Sequence, residues 1–371
     1  MNDCIKPIAL YLPQFHPIPE NDEWWGKGFT EWTNVTNAKP LFQNHWQPRL
    51  PADLGFYDLR VPEVREAQAQ LAKEYGIYGF CYWHYWFGGK RILERPFCEM
   101  VKSGKPDFPF CVAWANQTWK GTWHGLSNDK ILIEQTYPGE EDYEAHFYSL
   151  LEAFHDPRYI TVNGKKLFFV FRPTELPDSK KFIDQWQELA QKEGLKGFHF
   201  VAMHMHSQWN PAEFGFDAFT QHTSTFFHAR YSPLTTMPIN SRLKKTFKKI
   251  RSSIRKEPPK KPRTFLYADY ANAYPGFNIG PHEYPIICAD WDNTPRSGVD
   301  GMLFSDFSME LFEKVCTHAF NATNNKPCEE KIVLIKSWNE WAEGNYIEPD
   351  QKYGYAYLET IKKALSYFKK I

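Results

Sequence analysis

Several features that would quickly narrow a 371-residue chain are absent. Neither sign of charge predominates: 44 Lys and Arg stand against 44 Asp and Glu, so formal net charge is zero and no long-range field draws the molecule toward nucleic acid. No apolar run approaches the ~20 residues of a membrane span, and the opening MNDCIKPIALYLPQF has no basic leader, apolar core or small-residue cleavage site. These absences predict a cytoplasmic protein with no nucleic-acid partner. Cysteine is sparse and odd in number, scattered at 4, 81, 98, 111, 288, 316 and 328, several inside runs such as GFCYW and FPFCVAW. The cysteines therefore read as reduced core residues, with no disulfide framework or zinc site.

What is present is aromatic and apolar: 17% Phe, Trp and Tyr within 42% hydrophobic residues, enough to bury one large core over the whole of residues 1–371. Eight short runs rich in β-branched and aromatic residues recur, at 8–15, 77–86, 108–116, 166–173, 198–206, 216–223, 284–293 and 331–341. Helical stretches lie between them: PEVREAQAQLAKEY, KRILERPFCEMVK, EDYEAHFYSLLEAF, SKKFIDQWQELAQKEG and MELFEKVCTHAFNAT. A last one near 353–370 places Leu358, Ile361, Leu365 and Phe368 on one face. Eight strands alternating with helices predict an α/β fold, a single-domain (β/α)8 TIM barrel. The competing doubly wound sheet would carry a glycine-rich phosphate loop after its first strand; here that strand runs into PQFHPIPE.

The runs begin apolar and end polar or aromatic: QFH, YWHYW, WANQTW, FRP, HMH, QHT, DWDN, WNEW. A barrel gathers its strand ends into one pocket, and indole and phenol rings interleaved with Asn, His, Asp and Arg suit the apolar faces and hydroxyls of sugars. The segment KSWNEWAEG at 336–344 adds two carboxylates, Glu340 and Glu343. Positions three apart on a strand face opposite ways, so both acids reach one pocket only if the chain bends after the strand, which Gly344 permits. Two carboxyl groups bracketing a bond are the apparatus of glycosidic chemistry. One structural acid and one surface acid would give the same local sequence.

The segments LYLPQFHPIPENDEWWGKGFTEWTNV, QPRLPADLGFYDLR, GFCYWHYWFGGK, CVAWANQTW, WDNTPR and WNEWAEGNYIEPDQKYGYAYLE together resemble the WbsX-type glycosyltransferases, proteins of surface-polysaccharide and O-antigen loci with a domain like glycoside hydrolase family 99. The resemblance spans nearly the whole chain. It implies a (β/α)8 barrel that makes or cleaves glycosidic bonds with retention, on mannose-configured or related sugars. By the same resemblance, Glu340 would be the base that helps the sugar's own 2-hydroxyl attack the anomeric carbon. Glu343 would be the acid for the departing oxygen and then the base for the acceptor. Arg296, Trp291 and Asp292 fall in the strand-seven motif as candidate hydroxyl contacts, although Ala289-Asp290 stands where the family has Pro-Gly.

Further candidate sugar contacts are Tyr11, His16, Glu31, Trp83, His84, Tyr85, Asn116, Trp119, His204, His206, Trp338 and Asn339. His204 and His206 have the spacing of two metal ligands, but no third is evident, so the reading requires no metal and no cofactor. Asp290-Trp-Asp292 also fits the short Asp-x-Asp pattern of metal- and nucleotide-sugar-dependent transferases, and a non-catalytic glycan-binding barrel is the third reading. An insertion at 234–275 between strands six and seven carries eleven Lys and Arg within 242–263, with Leu243, Phe247, Ile250 and Ile254 at helical spacing. Such a basic amphipathic helix suits an anionic membrane surface, and equally a helix docked on the barrel. The partner expected is an oligosaccharide or lipid-linked glycan, met by a cytoplasmic protein held peripherally on the inner membrane.

Overall fold

The computed structural model describes residues 4–121, 130–203, 205, 209–221, 261–276 and 279–368. Eight strands form one parallel sheet: β1 (Lys6–Tyr11), β2 (Gly79–Phe87), β3 (Phe110–Trp114), β4 (Lys165–Val170), β5 (Phe198–Ala202), β6 (Ala218–Phe219), β7 (Ile286–Cys288) and β8 (Ile332–Lys336). They follow the order β6-β5-β4-β3-β2-β1-β8-β7. A parallel bridge between Phe219 and Glu283 joins the two outer strands; there Phe219 N donates to His282 O and Tyr284 N to Phe219 O, both at 2.8 Å. The sheet thus curls into the expected barrel.

The runs form strands because both faces are covered. β8, IVLIK, is buried along its whole length, and so are β1 and β3, the near-continuous apolar pattern of a parallel sheet under helices. The covering helices include Pro62–Glu74, Glu140–Ser149, Ser179–Lys192, Met309–Asn321 and Ala356–Ser366. Two start on side-chain caps: Asp178 accepts from Lys181 N, and Ser308 from Leu311 N. Their inner faces, such as Phe182, Ile183, Trp186 and Leu189, sink into the core.

Four expectations are corrected. The stretch 90–102 is not one helix: Lys90–Ile92 turns back antiparallel on the end of β2 and the helix starts at Arg95, because Gly88 and Gly89, both at positive φ, make a tight reversal. The helix expected over 141–154 breaks after Ser149 and resumes over Leu151–His155. The last strand stops at Lys336, five residues short of Trp341. Finally, Cys4 and Cys328 are disulfide-bonded, with Cα atoms 5.1 Å apart. The β1–β8 pairing that sets Lys6 beside Ile332 carries these residues together, and their 324-residue separation hides that in the sequence. The other five cysteines are free, four of them buried.

Of the insertion expected at 234–275, residues 263–266 form a strand beside Met302–Ser305 and 267–273 a helix; 234–260 lie outside the described residues.

Candidate active site

β8 ends at Lys336, and the chain turns over the barrel mouth through a short 3-10 turn, Trp341–Glu343, closed by Gly344 in the left-handed region at φ 67°. This bend brings both acids to one side. Glu31 Oε1 accepts from Ala342 N at 3.0 Å, and Asp292 N donates to Glu343 O at 2.8 Å. Arg49 donates to Gly344 O at 2.9 Å. Three separate segments of the chain therefore fix one turn.

Below it lies a pocket of about 150 Å³ lined by Trp83, Tyr85, Trp119, Phe171, Trp291, Arg296, Lys336, Glu340 and Glu343, with Leu12, Gln14, Ala115 and Gln117. A larger hollow of about 650 Å³ opens at the opposite end of the barrel around Cys4, Tyr78 and Phe368, where Asp107 is its single acid. The smaller pocket is the candidate site, because charge is concentrated and strand ends converge there.

Its charges form a chain. Arg296 donates to Glu31 Oε1 and to Glu343 Oε1, each at 2.7 Å. Lys336 Nζ lies 2.6 Å from Glu340 Oε2 and 3.1 Å from Glu343 Oε2. Trp83 Nε1 donates to Glu340 Oε1 at 2.8 Å, and Asn345 Nδ2 to Glu343 Oε2 at 3.2 Å. Glu340 is the deeper acid, its side chain 5% exposed against 19% for Glu343. Burial pushes the Glu340 carboxyl up further than Lys336 draws it down, and the Glu343 charge adds to the rise. At Glu343 burial is outweighed by Lys336 and Arg296, which hold it well below the ordinary range. The two acids are thus driven apart, as an acid and base pair requires.

Of the residues singled out in the sequence, Trp83, Tyr85, Trp119, Trp291, Arg296, Glu340 and Glu343 line this pocket. Others serve beside it. Glu31 is fully buried behind Arg296, and Asn339 staples β1 to the acid loop, accepting from Leu12 N at 2.7 Å and donating to Leu12 O at 3.1 Å. Trp338 is buried against Phe80. Several lie elsewhere. Tyr11 points out between sheet and helix, donating to Gln68 Oε1 at 2.6 Å, because alternate residues of a strand face opposite ways. His84 is buried against His146, Nε2 to Nε2 at 2.8 Å, and burial pulls both well below the usual histidine range. His16 bonds Pro13 O through Nδ1 at 3.0 Å. Asn116 ties β3 to β4 by donating to Arg172 O and accepting from Arg172 N. His204 and His206 lie outside the described residues.

Asp292 is also spoken for: Oδ2 contacts His45 Nε2 and accepts from Gln47, and Oδ1 accepts from the Thr294 amide and hydroxyl. Four partners leave this carboxylate no free face for a metal-bound nucleotide. Among the described residues, no three His, Cys, Asp or Glu side chains converge as metal ligands.

Sequence reasoning missed Lys336, although it bonds both acids. Its signal was there: a lysine closing the apolar run IVLI, four residues before Glu340. It also missed Arg49, whose guanidinium is held by Asp290 at 2.9 Å, the residue standing where a glycine was expected.

Comparison with known proteins agrees with this fold. A protein of Xanthomonas campestris pv. campestris named WxcX, uncharacterised, is 36% identical over 363 residues, covering 97% of this chain and 49% of that one. The chain therefore spans about half the length of the curated relatives it matches. Among solved structures, the GH99 endo-alpha-mannosidase from Bacteroides thetaiotaomicron superposes with a TM-score of 0.56 at 12% identity, over 98% of this chain and 97% of that one. A glycoside hydrolase-like protein gives 0.56 at 14% identity, over 97% and 94%; at such identities these likenesses speak to the barrel fold. The family model described as Glycosyltransferase WbsX matches residues 7–361, and the chain belongs to that family, on a GH99-like barrel.

Proposed function

We propose that the protein makes or breaks a glycosidic bond with retention, using Glu340 and Glu343 as the reacting pair on a neutral, mannose-configured or related sugar of a surface glycan. The observation that carries this reading is the single Lys336 ammonium bonded to both carboxylates inside an indole-lined pocket. One ammonium bonded to both acids supports the close spacing of a retaining pair over the about 6.5–9.5 Å that makes room for water in an inverting one. Their difference in depth supports a division of parts. Glu340, the inner acid, works on the donor ring and its 2-hydroxyl; Glu343, nearer the mouth, works on the departing and accepting oxygens. Three carboxylates, Glu31, Glu340 and Glu343, stand against two cations, Arg296 and Lys336. That balance gives no net positive charge to hold a diphosphate, and favours a glycosidic donor over a nucleotide sugar. The mannose configuration is inferred from the likeness of the barrel to that of an endo-alpha-mannosidase.

The acceptor is water or another sugar. Incubating wild type, Glu340→Gln and Glu343→Gln with free and lipid-linked glycan in 18O-water, and following products by mass spectrometry, distinguishes them. Both variants are expected to lose turnover by about 10²–10⁴-fold; 18O in the product marks hydrolysis, and its absence from a lengthened glycan marks transfer. Turnover unchanged in both variants would sink the assignment. The basic stretch 242–263 supports a glycan presented at an anionic membrane. Equal sedimentation with anionic and neutral liposomes would count against that part.

A further inference from the structure

We propose that Lys336 is a positioning residue of this site: its ammonium, held between the carboxylates of Glu340 and Glu343, limits the pair to a single proton in the resting enzyme, which the further cation at Glu343 leaves on Glu340. The proposal rests on the reading that these glutamates are the reacting pair.

Lys336 is buried at the last position of β8, where an ammonium must be paired to persist. Its surroundings are the two carboxylates and the ring of Trp291, 5.5 Å to the centroid. The acids differ in what else they hold. Glu343 has a second cation, Arg296, and the Asn345 amide; Glu340 has the neutral Trp83 indole and, among the described residues, no second bonded cation. Two cations against one favour the anion at Glu343, so a single proton shared by the pair resides on Glu340. The opposed shifts of the two carboxyls run the same way.

The other titratable groups facing this knot do not compete for the proton. Tyr85 from β2 and Cys288 from β7 are held neutral by burial. Asp290, beside Cys288, is paired with Arg49, and Glu31 stands behind Arg296. An incoming hydroxyl that takes the Lys336 bond away from Glu343 raises that carboxyl's affinity for a proton. One cation is then left on each carboxylate, Arg296 on Glu343 and Lys336 on Glu340, so the bias that kept the proton on the Glu340 oxygen is removed and one ammonium couples substrate arrival to sharing of that proton with the acid that faces the departing group.

The test needs no substrate. The full chain, labelled with 13C at glutamate Cδ, is followed by NMR across acid and neutral pH, with Glu340→Gln and Glu343→Gln assigning the two resonances. Wild type is expected to show Glu340 titrating above the ordinary carboxylate range and Glu343 below it. In Lys336→Met both midpoints are expected to rise, that of Glu340 by about 1–3 pH units; unchanged midpoints in the folded variant overturn the proposal. Should Lys336→Met not fold, Glu343→Gln decides: with the like charge gone and Lys336 free to serve Glu340 alone, the Glu340 midpoint must fall, and a midpoint that stays put overturns it. Titrations as expected with no glycan turnover would sink the proposed function and leave the role of Lys336 standing.

Discussion

The indole N–H of Trp83 donates to Glu340 Oε1 across 2.8 Å, tying β2 to the acid loop after β8. The same ring packs edge-on against Phe171, centroids 5.2 Å apart. Trp83→Phe keeps most of that contact and deletes the donor. A hydrogen bond to Glu340 in the anionic form that works as base on the 2-hydroxyl is worth about 1.5–3 kcal/mol, so kcat/KM is expected to fall by about 10- to 100-fold on whichever glycan the enzyme turns over. A kinetic constant within twofold of wild type would show that the indole serves as a wall alone.

Gly344 is where the bend leaves no tolerance. A Cβ there would lie 2.7 Å from Asp292 N and 3.0 Å from Arg49 Nη1, on a backbone at φ 67°. The left-handed conformation alone costs a residue with a side chain roughly 1–2 kcal/mol, and the main-chain clash adds to it. Gly344→Ala is therefore expected to lower unfolding free energy by at least about 2 kcal/mol in urea titration, and to weaken turnover by swinging Glu343 off Arg296.

A second buried acid, Glu348, gives the fold a pH dependence of its own. Oε2 accepts from Tyr57 and Trp341, and Oε1 from Gln68, yet burial outweighs these donors and pushes the carboxyl up to about 7. Between the ordinary glutamate value and about 7 the folded chain holds a proton that the unfolded chain has released. Stability from this group is thus complete at acid pH and lost as pH rises through about 7, at about 1.4 kcal/mol per pH unit. Asp290, raised to about 6 chiefly by burial, adds a slope of the same sign. Urea midpoints across this range should fall with rising pH, and less steeply in Glu348→Gln.

The Cys4–Cys328 bond closes a loop of most of the chain. Long loops gain the most from such a link, typically about 2–5 kcal/mol. Cys4→Ser and Cys328→Ser should each lower Tm by the same amount, and dithiothreitol should lower wild type to that value while leaving both variants unmoved. A reductant that shifts nothing would show the two thiols unbonded in solution.

How far the sequence foretold this molecule follows from the range of the forces involved. Strand number and barrel class were legible because burial on both faces writes continuous apolar runs such as IVLI and FCVAW. The acid pair was legible because its spacing and glycine sit within nine residues. Tyr11, His84 and Asn116 are polar groups at strand ends, yet they turn to a helix, a second histidine and a neighbouring loop. Which way a strand's last residues face depends on the register at which it ends, and no local pattern states that. The disulfide and the Arg49–Asp290 pair join residues hundreds of positions apart, and only the closed barrel brings them together.

The staple that Asn339 places on Leu12 has a mechanical meaning. Its amide supplies both a donor and an acceptor to the backbone of one residue, and so acts as an added rung on the β1–β8 ladder, whose other end is riveted by Cys4 and Cys328. Among the described residues, the β6–β7 junction has a single bridge. A ring breathes where it is least fastened. The slowest hydrogen exchange belongs at Ile8, Leu10 and Leu334, and the fastest opening at Phe219, so the acids ride on the stiff side of a barrel free to flex elsewhere.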